Sequence, residues 1–151
     1  YKNKGEIMKI IGVSGGSGAG KSTVSKKIAE KLPNALLINL DNFMHEESNR
    51  LEYEILKKLN KKKDENLYSY NYYHETLETI KIWVNTIKDG VIKKIEDIIE
   101  NEGSKKEYIV VDWVFLPLCQ FFSKCDYTVC ITANYDRRLK RLIKRLKDSD
   151  N

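Results

Sequence analysis

Gly15-Gly16-Ser17-Gly18-Ala19-Gly20-Lys21-Ser22 satisfies the spacing G-x-x-x-x-G-K-[ST], and four glycines fall within its first six positions. Such a segment suits an anion: glycines let the backbone turn its N–H groups inward around a phosphate that side chains would exclude. A lysine after the last glycine can reach the β and γ phosphates of a nucleotide, and the next hydroxyl can ligate Mg²⁺. The expected cradle is therefore Gly15, Gly16, Ser17, Gly18, Ala19, Gly20, Lys21, Ser22 and Thr23, with ATP and Mg²⁺ as ligands. The G-x-G-x-x-G dinucleotide fingerprint fits no register here, which disfavours NAD.

Two carboxylates follow apolar runs. Asp112 succeeds Ile109-Val110-Val111, where an aspartate either helps to hold the metal or caps a turn. Asp41 succeeds ALLINL, where it either accepts the proton of an attacking hydroxyl or starts a turn with Asn42. Arg137, Arg141 and Arg145 recur every four residues on one stripe, able to cover transferring phosphates or to lie solvated. The expected catalytic set is Lys21, Asp41, Arg141 and Arg145, with Arg137 on the nucleotide and Ser22 and Asp112 at the metal. His45 and His74 lack ligand spacing, and the tyrosines at 68, 70, 72 and 73 read as packing beneath a loop or as an acceptor pocket.

The elements that must position these groups are legible. Lys9–Val13 and Ala35–Leu40 read as buried strands around an amphipathic helix whose stripe is Val24, Ile28, Ala29 and Leu32, stopped by Pro33. This β-α-β unit implies parallel strands with ligands at their carboxyl ends. A helix is expected over 46–60, running into the solvated lysine-rich stretch 57–65. Another spans 75–100, broken near Gly90, and is followed by strands at Tyr108–Val111 and Tyr127–Thr132. A final helix carries Leu139, Leu142, Ile143 and Leu146 on one face and its basic residues on the other.

The 151 residues suit one domain, expected over 8–151 with residues 1–7 outside it. Apolar residues at 41% argue against disorder, and no apolar run reaches a membrane-spanning length. Lys2 and Lys4 precede no apolar stretch or cleavage site, so no secretory signal is expected. Cys119, Cys125 and Cys130 are an odd number without a CxxC pair, read as buried free thiols in a cytoplasmic protein. The net charge of +5 suits an anionic ligand without naming it. Oligomeric state leaves no trace in the sequence.

GVSGGSGAGKSTVSKKIAEKL resembles the opening of the small-molecule kinases in the nucleoside/nucleotide kinase group of P-loop proteins, closest in this stretch to uridine kinases. TIKDGVIKKIEDIIE leading into YIVVDWVFLPL, then KCDYTVCI and YDRRLKRLIKR, is similar to dephospho-CoA kinases. The resemblance implies a three-layer α/β/α fold with a parallel sheet and a helical lid. It implies transfer of the γ-phosphoryl of Mg·ATP to a hydroxyl of a small metabolite, dephospho-CoA first and a nucleoside such as uridine as the alternative. It also implies Asp41 as base, Arg141 and Arg145 as lid arginines, and a further strand and helix after Asn151 that help to hold adenine. The group's usual Asp-Ala-Asp is here Asn39-Leu40-Asp41, and Trp113 replaces an apolar residue. Of other classes, a nucleotide-dependent switch is disfavoured because Asn60-Lys61-Lys62-Lys63-Asp64 is one residue too long for NKxD, and nucleic acid is not the expected partner. A binding protein that keeps the loop without catalysis is the third reading.

Overall fold

A computed structural model of the chain describes residues 8–16, 18–59 and 77–149. Ser17, the run Lys61–Lys63, the tyrosines at 68, 70, 72 and 73, and His74 lie outside the described residues. The elements are β1 (Lys9–Gly15), α1 (Lys21–Lys31), β2 (Ala35–Asn39), α2 (Asp41–Arg50), α3 (Glu52–Lys58), α4 (Leu77–Glu102), β3 (Tyr108–Asp112), β4 (Tyr127–Ile131) and α5 (Tyr135–Ser149). They fall into two compact units, one of residues 1–39 with 97–151 and one of residues 40–96.

The first unit holds a four-stranded sheet in the order β2-β3-β1-β4, parallel throughout. Its parallel strands with flanking helices are those of the expected three-layer α/β/α P-loop fold. The apolar run of the central β3 is buried because the sheet is covered there, Ile109, Val110 and Val111 having no exposed surface, whereas β4, expected as a buried strand, has no buried residue. Ile11, Val13 and Val110 form a core against which Ile28, Ala29 and Leu32 of the α1 stripe pack. Burial of Val13 and Val110, which have no exposed surface, contributes about 1.5–3 kcal/mol each. Pro33 ends α1 through the residue before it, Leu32, which is extended at φ −90°, ψ 138°. Asn34 then takes φ 50°, its side-chain amide donating to Lys105 O at 2.6 Å. The register sets Val13 and Asn39 on either side of Asp112, so β2 and β3 finish at one level and β1 runs on two residues to Gly15.

The second unit corrects two expectations. The helix expected from residue 46 starts at Asp41 and is interrupted at Leu51, giving α2 and α3. An acidic residue in the first turn favours that earlier start, because it complements the helix dipole. Nor does α4 break at Gly90: it is continuous from Leu77 to Glu102. A glycine costs about 1 kcal/mol there relative to alanine. Its use is close approach, since a Cβ at Gly90 would collide with the Glu47 carboxylate of α2. Glu47 is buried and ion-paired with Arg50 at 2.9 Å. Next to it, Ser48 Oγ accepts from the Trp83 indole at 2.9 Å and donates to Met44 O at 2.8 Å. Lys94 of α4 pairs with Glu46 and lies 5.3 Å from the centroid of the Phe43 ring. The buried stripe Trp83, Val84, Ile87, Val91 and Ile95 follows the period read from the sequence.

Two further expectations change. No residue of α5 is buried, and Leu139, Ile143 and Leu146 of its apolar face are exposed. Of the free cysteines Cys119 is buried and Cys125 half-buried, but Cys130 is exposed because β4 is an edge strand. Burial, helped by the negative charge of Asp126, pushes the Cys125 thiol up to about 11. No helix among the described residues is long and apolar enough to cross a membrane.

Candidate functional site

The glycine-rich loop leaves β1 at the carboxyl end of the sheet and enters α1, as a ligand-binding turn of a parallel sheet must. Gly18 at φ 77° and Gly20 at φ 97° occupy the left-handed region, where a β-carbon is strained. Between them the chain is pinned by Ala19 N–H donating to Gly16 O at 3.0 Å. Gly20 caps α1 without a side chain, and the first turn contains no acidic residue. The leading amides of α1 thus keep their donors and their partial positive charge unneutralised, the local condition for an anion at a helix start.

Lys21 opens α1 and reaches back to the end of β3. Its Nζ donates to Asp112 Oδ1 at 2.5 Å, with the carboxylate side chain 1% and the lysine side chain 10% exposed. The other carboxylate oxygen, Oδ2, accepts from Ser25 Oγ at 2.8 Å. The loop's lysine and the strand-end aspartate, chosen independently from the sequence, therefore meet, and Ser25 joins them. Ser25 was not anticipated, although a serine in register with Ile28 and Ala29 on the buried stripe was the available signal, because a buried hydroxyl needs a partner.

α5 crosses the loop by way of arginines. Arg141 Nη1 donates to Gly18 O at 3.0 Å. The Arg138 guanidinium lies against Gly16 so closely that a Cβ there would collide with Nη2, and Arg138 O stands 2.8 Å from where a Gly18 Cβ would be. Asn134 caps this helix, its Oδ1 accepting from Arg137 N–H at 2.9 Å. All three arginines of the stripe read from the sequence are exposed, and Arg141 among them reaches the loop. Arg138, one residue from the expected position, is the second arginine at the loop, and its i,i+3 spacing to Arg141 was the unread signal. A pocket of about 250 Å³ opens here, lined among others by Ser14, Gly15, Gly16, Ala19, Cys130 and Arg138.

The remaining expected residues are placed as follows. Ser22 and Thr23 lie exposed in the first turn of α1. Asp41 is not the end of a strand but the first residue of α2, in the second unit.

A family model described as an AAA domain matches residues 11–151. The chain belongs to this AAA domain family. The matched span of the AAA domain includes the loop, Lys21, Asp112 and the arginines of α5. It is 36% identical over 125 residues to a protein named uridine kinase from Borreliella burgdorferi (strain ZS7), covering 68% of this chain and 61% of that protein. It is 33% identical over 126 residues to one of the same name from Borrelia turicatae (strain 91E135), with the same coverage. Uridine-cytidine kinase C of Dictyostelium discoideum is 33% identical over 67 residues, covering 38% of this chain and 15% of its own. The AAA domain thus spans 61% of the length of the Borreliella and Borrelia proteins it matches. Among solved structures, that of TT1252 from Thermus thermophilus superposes with a TM-score of 0.65 at 16% identity, covering 92% of this chain and 73% of its own, a likeness of fold.

The donors of the AAA domain suit the ligands its loop implies. Ser22 and Asp112 present hard oxygen, the donor type Mg²⁺ takes, and the buried Asp112 carboxylate already accommodates a positive charge in the Lys21 ammonium.

Proposed function

We propose that this AAA domain binds Mg·ATP on the loop 15–23 and transfers the γ-phosphoryl to a hydroxyl of a nucleoside, with uridine as first choice. The observation that carries the reading is the meeting of Lys21 with Asp112 beneath an uncapped helix start, which gathers a mobile cation and a fixed carboxylate where a polyphosphate would lie. The relatives named uridine kinase support a nucleoside over dephospho-CoA, which the sequence resemblance had ranked first.

In this reading the amides of α1 and Lys21 hold the phosphates, and Arg138 and Arg141 balance charge on the γ-phosphoryl oxygens. Ser22 and Asp112 would hold Mg²⁺, which would supply neutralisation of phosphate charge. The acceptor hydroxyl oxygen attacks the γ-phosphorus, the bond from that phosphorus to the ADP oxygen breaks, and the hydroxyl proton passes to Asp41.

The test is incubation of the protein with Mg·ATP and, separately, uridine, cytidine or dephospho-CoA, with product masses read by mass spectrometry. Uridine monophosphate is expected. Phosphorylation of dephospho-CoA alone overturns the acceptor, and ATP consumption without any phosphorylated acceptor overturns the kinase. Asp41→Asn is expected to lower turnover at least about 100-fold while leaving ADP affinity within a few-fold, the signature of a lost general base.

A further inference from the structure

Asp112 is buried, and both of its oxygens are held: Oδ1 by the Lys21 ammonium and Oδ2 by the Ser25 hydroxyl. These two holds differ in kind. Lys21 ends a flexible stem rooted beside the loop, and an ammonium is drawn to whichever anion presents more charge. Ser25 is fully buried in the second turn of α1, and its short side chain has nowhere else to go. Its Oγ stands 2.8 Å from Oδ2 and 3.1 Å from Ser22 O, so its single proton has the charged and nearer oxygen as the stronger acceptor. Donated to Oδ2, that proton ties the end of β3 to the second turn of α1.

We propose that Ser25 is a positioning residue for the nucleotide's metal ion: by clamping Oδ2 it leaves Oδ1 as the one oxygen Asp112 offers, and Lys21 occupies Oδ1 until nucleotide phosphates draw its ammonium away. The inference rests on the nucleotide reading above and deepens it. An ammonium and a divalent cation cannot share one carboxylate oxygen without repulsion, so the metal alone meets an occupied Oδ1. With a nucleotide present, the lysine moves to the phosphates and Oδ1 is released. Binding order follows: the metal enters with or after the nucleotide. Partners that orient a metal's ligands typically contribute about 10–100-fold to its affinity.

Free Mn²⁺, followed by electron paramagnetic resonance, measures this directly on the full chain with and without saturating ADP. Wild type is expected to bind Mn²⁺ only when ADP is present. Ser25→Ala is expected to weaken that binding about tenfold or more while metal-free ADP affinity moves less than about twofold, and Ser25→Thr, which keeps the hydroxyl, to retain it. Lys21→Met is expected to gain Mn²⁺ binding without ADP, because Oδ1 is then vacant. Unchanged Mn²⁺ affinity in Ser25→Ala, or an equal loss of metal-free ADP binding, overturns the role of Ser25. Mn²⁺ bound by wild type without ADP, or no gain in Lys21→Met, overturns the role of Lys21. A wild-type protein that binds no ADP overturns the nucleotide reading itself, and this inference with it.

Discussion

Lys21 and Asp112 stand 91 positions apart in sequence and close an ion pair of 2.5 Å between the start of α1 and the end of β3. Their burial makes the pair sensitive to loss of one member. Removing the anion leaves an uncompensated ammonium in a poorly solvated place, whereas removing both leaves none. Asp112→Ala is expected to lower stability by about 3 kcal/mol, and Lys21→Met combined with Asp112→Leu to recover most of that loss. Urea denaturation of the three proteins checks both.

Of the arginines of α5, Arg138 and Arg141 lie against the loop. A charge-assisted hydrogen bond contributes about 1.5–3 kcal/mol, or roughly tenfold or more in affinity. Arg138→Ala and Arg141→Ala are each expected to weaken ATP binding about tenfold, and Arg137→Ala and Arg145→Ala less than about threefold. Isothermal titration of the four variants with an unreactive ATP analogue decides. Equal losses from all four would mean that the arginines act as a diffuse field.

Glu47 makes stability depend on acid pH. The hydrogen bonds from Arg50 are the main cause of a carboxyl held below its ordinary value of 4.5; burial opposes this, and the charges of Arg50 and Lys94 reinforce it. A depressed folded value means the unfolded chain takes up the proton first. The contribution is therefore complete above the ordinary carboxylate range and disappears as pH falls through the lower folded value. Between about pH 6 and pH 3, wild type is expected to lose more melting temperature than Glu47→Gln, whose amide does not titrate in that range. Thermal unfolding followed by circular dichroism along the pH series gives the comparison, and parallel curves would remove Glu47 as a source of the acid sensitivity.

What could be read without a structure was whatever local sterics and periodicity dictate. The glycines of 15–20, the stripe of α1 and its stop at Pro33, and the apolar runs of β1, β2 and β3 follow from backbone freedom, side-chain period and the restriction before proline. Those signals sufficed for a parallel sheet and for the loop at its carboxyl end. Pairings between distant segments decided the rest. Gly90 read as a break because glycine is a poor helix former, but α2 needed its missing side chain for Glu47. Asp41 read as a strand end because the residues before it are apolar, yet it begins α2. Period alone placed Arg137 beside Arg141 as readily as Arg138, and only the packing of α5 across Gly16 and Gly18 selected the latter. The place of Ser25 on the buried stripe signals only that its hydroxyl needs a partner; which partner is decided by the sheet, which delivers Asp112 to it. A residue's own conformational preferences travel with it along the chain, but the partner that turns a serine or a lysine into part of a site is chosen by the three-dimensional path between them.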